Sequence, residues 1–103
     1  MDDKVIEIIN LINSSDNDIV LLGCNMLKQT DFYKECNHMK VLKRKYTLTG
    51  LIRLIRSNKN WWNSKPINRR SGRVYYIGIT PYLKSLYIRN LKDMYLMWYK
   101  NKK

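Results

Sequence analysis

The sequence predicts an α+β fold that is predominantly helical: an N-terminal helical hairpin, a central helix, one β-hairpin and a long C-terminal helix. Apolar residues recur at helical spacing over most of the chain, and β-branched and aromatic residues are concentrated in one short stretch. The chain has 103 residues, enough for one small core, and no Gly/Ser-rich or Pro-rich linker divides it. We therefore expect a single domain over residues 1–103.

The first third predicts an antiparallel pair of helices. Apolar residues between Val5 and Ile12 recur at helical spacing, which predicts a first helix over 3–13. Polar residues then interrupt the pattern, and a second amphipathic stretch predicts a helix over 16–29. Gly23 lies inside this second helix, where glycine costs about 1 kcal/mol relative to alanine. We expect this glycine to allow the first helix to approach closely.

The remaining two-thirds predict a helix followed by a β-hairpin. Leucine and isoleucine spacing predicts a helix over 47–57, with Thr47 or Thr49 as its N-cap. The segment RVYYIGIT at 73–80 has the β-branched and aromatic composition of a strand. Its expected partner strand is 60–68, so that the hairpin has a basic tip.

The last helix has a clear beginning and a wide apolar face. Thr80 is a suitable N-cap, and Pro81 takes the first helical position. Twenty residues make about 30 Å of helix, so we expect burial on several sides or against a partner protein. The interface that we predict on this helix consists of Leu91, Tyr95 and Trp98.

Charge is divided unevenly along the chain, whose formal net charge is +12. Residues 1–38 hold three basic and seven acidic side chains, for a net charge of −4. Residues 39–103 hold 17 basic and one acidic side chain, for a net charge of +16. The basic excess argues against a typical acidic enzyme and makes a polyanion the expected partner.

The basic segment predicts a nucleic-acid-binding protein, for DNA or RNA, that contacts mainly phosphates and has low sequence selectivity. Ten of the twelve aromatic residues lie in this segment. If 60–68 is a strand, Trp61 and Trp62 point to opposite faces. The outer one then either stacks on a base or packs against the last helix. The expected contact residues are Lys43, Arg44, Lys45, Arg53, Arg56, Trp61, Lys65, Arg69, Arg70 and Arg73.

A helix over 47–57 followed by a basic-tipped hairpin over 60–80 resembles the winged helix-turn-helix family. The resemblance implies that the helix enters a groove of the nucleic acid and that the wing contacts the backbone. The chain departs from the family pattern at 30–46, where the sequence is too irregular to predict a second helix and a tight turn. The likeness therefore concerns the arrangement of the helix and the hairpin.

The alternative prediction is a structural or interaction protein, such as a virion component or a modulator of a host protein. The wide apolar face of the last helix would contact a protein partner or a second copy of the chain. The sequence has no alanine and is rich in Asn, Lys, Ile and Tyr. This bias indicates an AT-rich genome and favours a phage or viral source. The expected location is then the host cytoplasm or the virion.

No set of residues has a pattern typical of catalysis, so we predict a protein that is not an enzyme and that uses no cofactor. Seven of the eight acids lie in the first third, where helix capping explains them. Cys24, Cys36 and His38 are too few and too widely spaced for a structural zinc site. The sequence lacks an apolar run of membrane-spanning length, and its N-terminus is acidic, so we expect no membrane partner and no secretion.

Overall fold

The structure, a computed structural model, describes residues 4–42, 45–68 and 70–102. This part of the chain contains six helices and two antiparallel two-stranded sheets, which confirms the predicted α+β, mainly helical class. The elements are α1 (Lys4–Ile12), α2 (Asn17–Leu27), α3 (Asp31–Cys36), β1 (Lys40–Val41), β2 (Tyr46–Thr47), α4 (Leu48–Ser57), α5 (Lys59–Trp62), β3 (Pro66–Asn68), β4 (Val74–Tyr76) and α6 (Pro81–Asn101).

The N-terminal pair of helices, α1 and α2, packs as the sequence predicts. A Cβ atom on Gly23 would lie 2.9 Å from Cγ1 of Ile12 and 3.0 Å from its backbone nitrogen. Because real Cβ atoms do not approach other atoms so closely, only glycine permits this helix contact. The predicted close approach at Gly23 is thus confirmed.

A small sheet that the sequence did not predict lies between α3 and α4. Strands β1 and β2 pair antiparallel, with Lys40 opposite Thr47 and Val41 opposite Tyr46. Thr47 then caps α4, since its side-chain oxygen accepts the Gly50 N–H at 3.0 Å. The segment that joins α3 to α4 is therefore a strand pair and not the tight turn of a helix-turn-helix.

The expected strand over 60–68 is wrong in its first half. The Asn58 side chain accepts the Trp61 N–H at 3.1 Å and caps the short helix α5. The strand β3 begins only at Pro66, and β4 is shorter than the predicted 73–80. Capping and the burial of Trp62 favour helix here, against the β propensity of the two tryptophans.

Helix α6 begins as predicted and forms one wall of the core. The Thr80 hydroxyl accepts the Leu83 N–H at 3.1 Å, and Pro81 is the first helical residue. Leu91 and Tyr95 are 0% and 1% exposed. Both side chains belong to the core of the chain itself, so a partner interface on α6, which stays a prediction, would have to use the exposed residues of this helix. Along the described residues, no helix is both long and apolar enough to cross a bilayer.

Candidate nucleic-acid interface

The β3–β4 hairpin is the most exposed element of the structure. Every described residue from 65 to 78 is solvent-exposed, including Val74 at 52% and Ile77 at 66%. Strands β3 and β4 pack extensively only on each other. The described residues extend 55 Å along the longest axis and only 27 Å and 22 Å along the others. The hairpin is therefore a two-stranded ribbon that contributes little to the core.

The base of this ribbon is attached to α5 through the backbone. The Ile79 N–H donates to the Trp61 carbonyl at 3.0 Å, and the Ser64 hydroxyl donates to the Ile79 carbonyl. Gly78 has a φ of +106°, and a Cβ atom there would lie 2.5 Å from the Trp61 carbonyl oxygen. Only glycine combines this backbone conformation with such a close approach.

The ribbon is basic and contains no acidic residue between positions 65 and 78. Lys65, Arg70 and Arg73 are exposed. Within the described ranges, none of these three cations has an ion-pair partner. Arg69 lies outside the described residues, as do Lys43 and Arg44. The ribbon thus presents at least three uncompensated cations to solvent.

A second basic group borders a groove between α2, α3 and α4. The groove has a volume of about 360 Å³. Arg53 and Arg56 line it from α4, as neighbours one helical turn apart, and Lys28 lines it from the C-terminal end of α2. Lys28 was not among the predicted contact residues, because it lies in the acidic third of the chain. The hairpin and this groove share no lining residue.

The two tryptophans occupy one aromatic cluster. Trp62 is buried, and its Nε1–H donates to the Ile12 carbonyl at 2.8 Å. Trp61 is half-buried, and its ring centroid lies 6.5 Å from those of Tyr46 and Tyr87. The prediction that they occupy opposite faces of a strand is wrong, since α5 is helical. Trp61 packs against the last helix at Tyr87, which is the second of its two predicted roles.

The other predicted residues lie apart from these groups. Lys45 is exposed, and its Nζ lies 5.6 Å from the ring centroid of Tyr46. Trp98 is half-buried and lines a cavity of about 580 Å³ between α1, α3 and the end of α6. At the rim of that cavity, Lys102 pairs with Glu35 at 3.1 Å.

Burial shifts the pKa values of titratable groups inside the fold, as two cysteines and a lysine show. Cys24 and Cys36 are free and buried. Burial raises the pKa of the Cys24 thiol to about 11, although the nearby Arg56 charge acts in the opposite direction. Burial also lowers the pKa of Lys84, whose ammonium donates to the Ser14 carbonyl at 3.0 Å and to Asn63. These contacts join α6 to the loops that follow α1 and α5.

Comparison with known proteins gives no matching family model, no similar curated protein and no similar solved structure.

Proposed function

We propose that this protein binds nucleic acid, with the β3–β4 ribbon as its principal contact. The observation that carries the proposal is the exposed ribbon itself, which projects basic side chains, lacks acidic ones and adds little to the core. Because the ribbon adds few buried contacts, it contributes little to stability, which favours a role in binding. Its exposed apolar residues are also typical of a contact surface.

The two-stranded architecture of the ribbon suits a nucleic-acid groove. The major groove of B-form DNA admits a two-stranded β-ribbon. Ile67 stands opposite Tyr75 on one face of the ribbon, and Asn68 stands opposite Val74 on the other. Apolar and amide side chains of this kind contact sugars and base edges, while Lys65, Arg70 and Arg73 reach phosphates.

Phosphate contacts dominate the binding that we propose. Each neutralised phosphate releases counterions, so that the affinity falls steeply with salt and depends little on sequence. The net charge of +16 over residues 39–103 supports the same mode, because it attracts a polyanion from a distance.

The proposal is tested by titrating labelled single- and double-stranded DNA and RNA across a range of salt concentrations. Removing two cations with Arg70→Gln and Arg73→Gln should weaken binding and reduce the slope of log affinity against log salt by about 1.8 for duplex DNA, roughly 0.9 per lost contact. A matched control, Arg89→Gln with Lys100→Gln, removes two exposed cations from α6 and should change the slope much less.

Two results would contradict the proposal. If none of the four nucleic acids binds at low salt, the protein has another partner. If the ribbon variant and the α6 control change the slope equally, the interaction is with the overall charge and not with the ribbon.

The second candidate function is that of an interaction protein, and the solvent-facing side of α6 favours it. Tyr82, Leu96 and Met97 are 73%, 40% and 67% exposed. These residues replace Leu91 and Tyr95 as the candidates for a protein contact. Light scattering at about 1 M salt separates the two functions, since an oligomer that persists there is held by apolar contacts.

A further inference from the structure

We propose that the groove between α2, α3 and α4 is a phosphate-binding site formed by Lys28, Arg53 and Arg56. Two helices that are separate in the sequence bring these three cations to one groove. The site deepens the proposed function and rests on it for the source of the phosphate, which is a nucleic-acid strand. It lies apart from the ribbon, so that one strand would be held at two places.

The charge of the groove favours an anion. No acidic side chain is among the residues that line it. Within the described part of the chain, none of its three cations has an ion-pair partner, whereas Lys102 pairs with Glu35 elsewhere. Like charges that converge without a counterion repel one another, and a bound phosphate would convert this repulsion into attraction. Arginine also binds phosphate oxygens through two parallel hydrogen bonds.

Hydroxyl groups complete the lining. Tyr33 is 9% exposed, and its hydroxyl donates to Oγ1 of Thr49 at 3.4 Å. Among the described residues, the hydroxyl proton of Thr49 itself has no acceptor. It is therefore available to a phosphate oxygen beside the three cations. A volume of about 360 Å³ holds a phosphate group and leaves room for the sugars that flank it in a strand.

The side chains, and not the helix N-terminus, supply the donors of this site. The first N–H groups of α4 already have acceptors. The Leu48 N–H donates to the Met39 carbonyl at 2.9 Å, the Thr49 N–H to the Asn37 carbonyl at 3.0 Å, and the Gly50 N–H to the Thr47 hydroxyl at 3.0 Å. Substituting a cationic side chain should therefore remove phosphate binding rather than leave a backbone site in place.

Substituting Lys28 gives the sharpest test of the groove. Lys28 lies outside the basic segment 39–103, so an effect of its substitution would point to the groove and not to the charge of that segment. Lys28→Gln is compared with Lys34→Gln, which removes an exposed lysine from α3 outside the groove. The two variants have the same net charge. Inorganic phosphate is titrated at constant ionic strength, and amide chemical shifts are followed by NMR. Saturable shifts at Tyr33 and Thr49 are expected in the unmodified protein and in Lys34→Gln, and weak or absent ones in Lys28→Gln.

A second measurement uses oligonucleotides with a 5′-phosphate or a 5′-hydroxyl. Lys28→Gln should lower the affinity about threefold to tenfold relative to Lys34→Gln. A preference for the 5′-phosphorylated strand would identify a terminal monoester as the ligand. Equal affinity for the two strands, with the loss in Lys28→Gln retained, would identify an internal phosphodiester.

The outcomes separate this site from the proposed function. If inorganic phosphate gives no localised shifts, or the same shifts in both variants, the groove is not a phosphate site, even where nucleic acid binds through the ribbon. If phosphate saturates the groove but no nucleic acid binds at low salt, the site stands and the proposed function fails.

Discussion

Gly78 and Gly72 both have positive φ angles, of +106° and +78°, yet they have different roles. A Cβ atom on Gly72 would meet no atom within 4 Å, so that this glycine only allows the hairpin to turn. A Cβ atom on Gly78 would collide with the Trp61 backbone. One residue thus permits the chain to turn, while the other permits the ribbon to attach to α5.

The comparison of Gly78→Ala with Gly72→Ala tests this difference. Gly78→Ala should lower the free energy of unfolding by about 2 kcal/mol or more, because backbone strain and a backbone collision add. Gly72→Ala should cost only about 1 kcal/mol, the conformational penalty alone. Urea unfolding measures both values. Equal losses would mean that the contact between Gly78 and Trp61 does not hold the ribbon in place.

Cys24 should make the stability of the protein depend on pH in the alkaline range. Burial raises the pKa of this thiol from 9.0 to about 11 in the folded protein. Between these values the unfolded chain loses the thiol proton first, so stability falls as the pH rises. From about pH 8 to about pH 11, the loss due to Cys24 should be on the order of 2 kcal/mol.

The variant Cys24→Ala isolates this effect, since lysines and tyrosines titrate equally in both proteins. Urea unfolding of each protein at several pH values measures the difference between them. The free energy of unfolding of the unmodified protein, relative to that of Cys24→Ala, should fall by an amount on the order of 2 kcal/mol between about pH 8 and about pH 11. A difference that stays constant with pH would show that the thiol is not held neutral by burial.

At the scale of elements, the β3–β4 ribbon is separable from the core. Its described residues are exposed, and its base is attached by backbone contacts at Ile79 and Gly78. The core is formed instead by α1, α2, α3, α4 and α6, to which α5 adds the buried side chain of Trp62. Stability and the proposed binding function therefore belong to different elements.

Replacing residues 67–75 with two glycines tests this separation. The strand ends are paired neighbours, Pro66 and Tyr76, so a short link can join them. The melting temperature should change by less than about 5 °C, because few buried contacts are lost. Nucleic-acid affinity should fall strongly, as salt-dependent titration would show. A variant that is unfolded by circular dichroism would instead assign the ribbon a part in the core.

Helix α5 shows the limit of predicting elements from local patterns. Two adjacent tryptophans fit a strand by propensity. Asn58 is a suitable helix cap, but the local sequence does not show that it acts as one. The buried hydrogen bond from Trp62 to the Ile12 carbonyl joins residues 50 positions apart. A window of a few residues does not contain that information.

At the scale of the whole molecule, the division of charge along the sequence is not the division of charge on the surface. Lys28 comes from the acidic third, yet it lies beside Arg53 and Arg56 at one groove. Glu35, from the same third, pairs with Lys102 near the C-terminus. The basic surface is therefore assembled from distant parts of the chain, and net charge by segment locates only part of it.

The sequence by itself determined the mainly helical α+β class, the pair α1 and α2, and the beginning of α6 at Thr80 and Pro81, and it limited the cap of α4 to Thr47 or Thr49. These features depend on residues within one or two turns of each other, which periodicity and capping rules describe. Only the tertiary structure decided that Leu91 and Tyr95 are buried, that Trp61 faces α6 and that Lys28 joins the arginines of α4. Burial and the grouping of side chains depend on contacts between segments far apart in the chain, and no local pattern records those contacts.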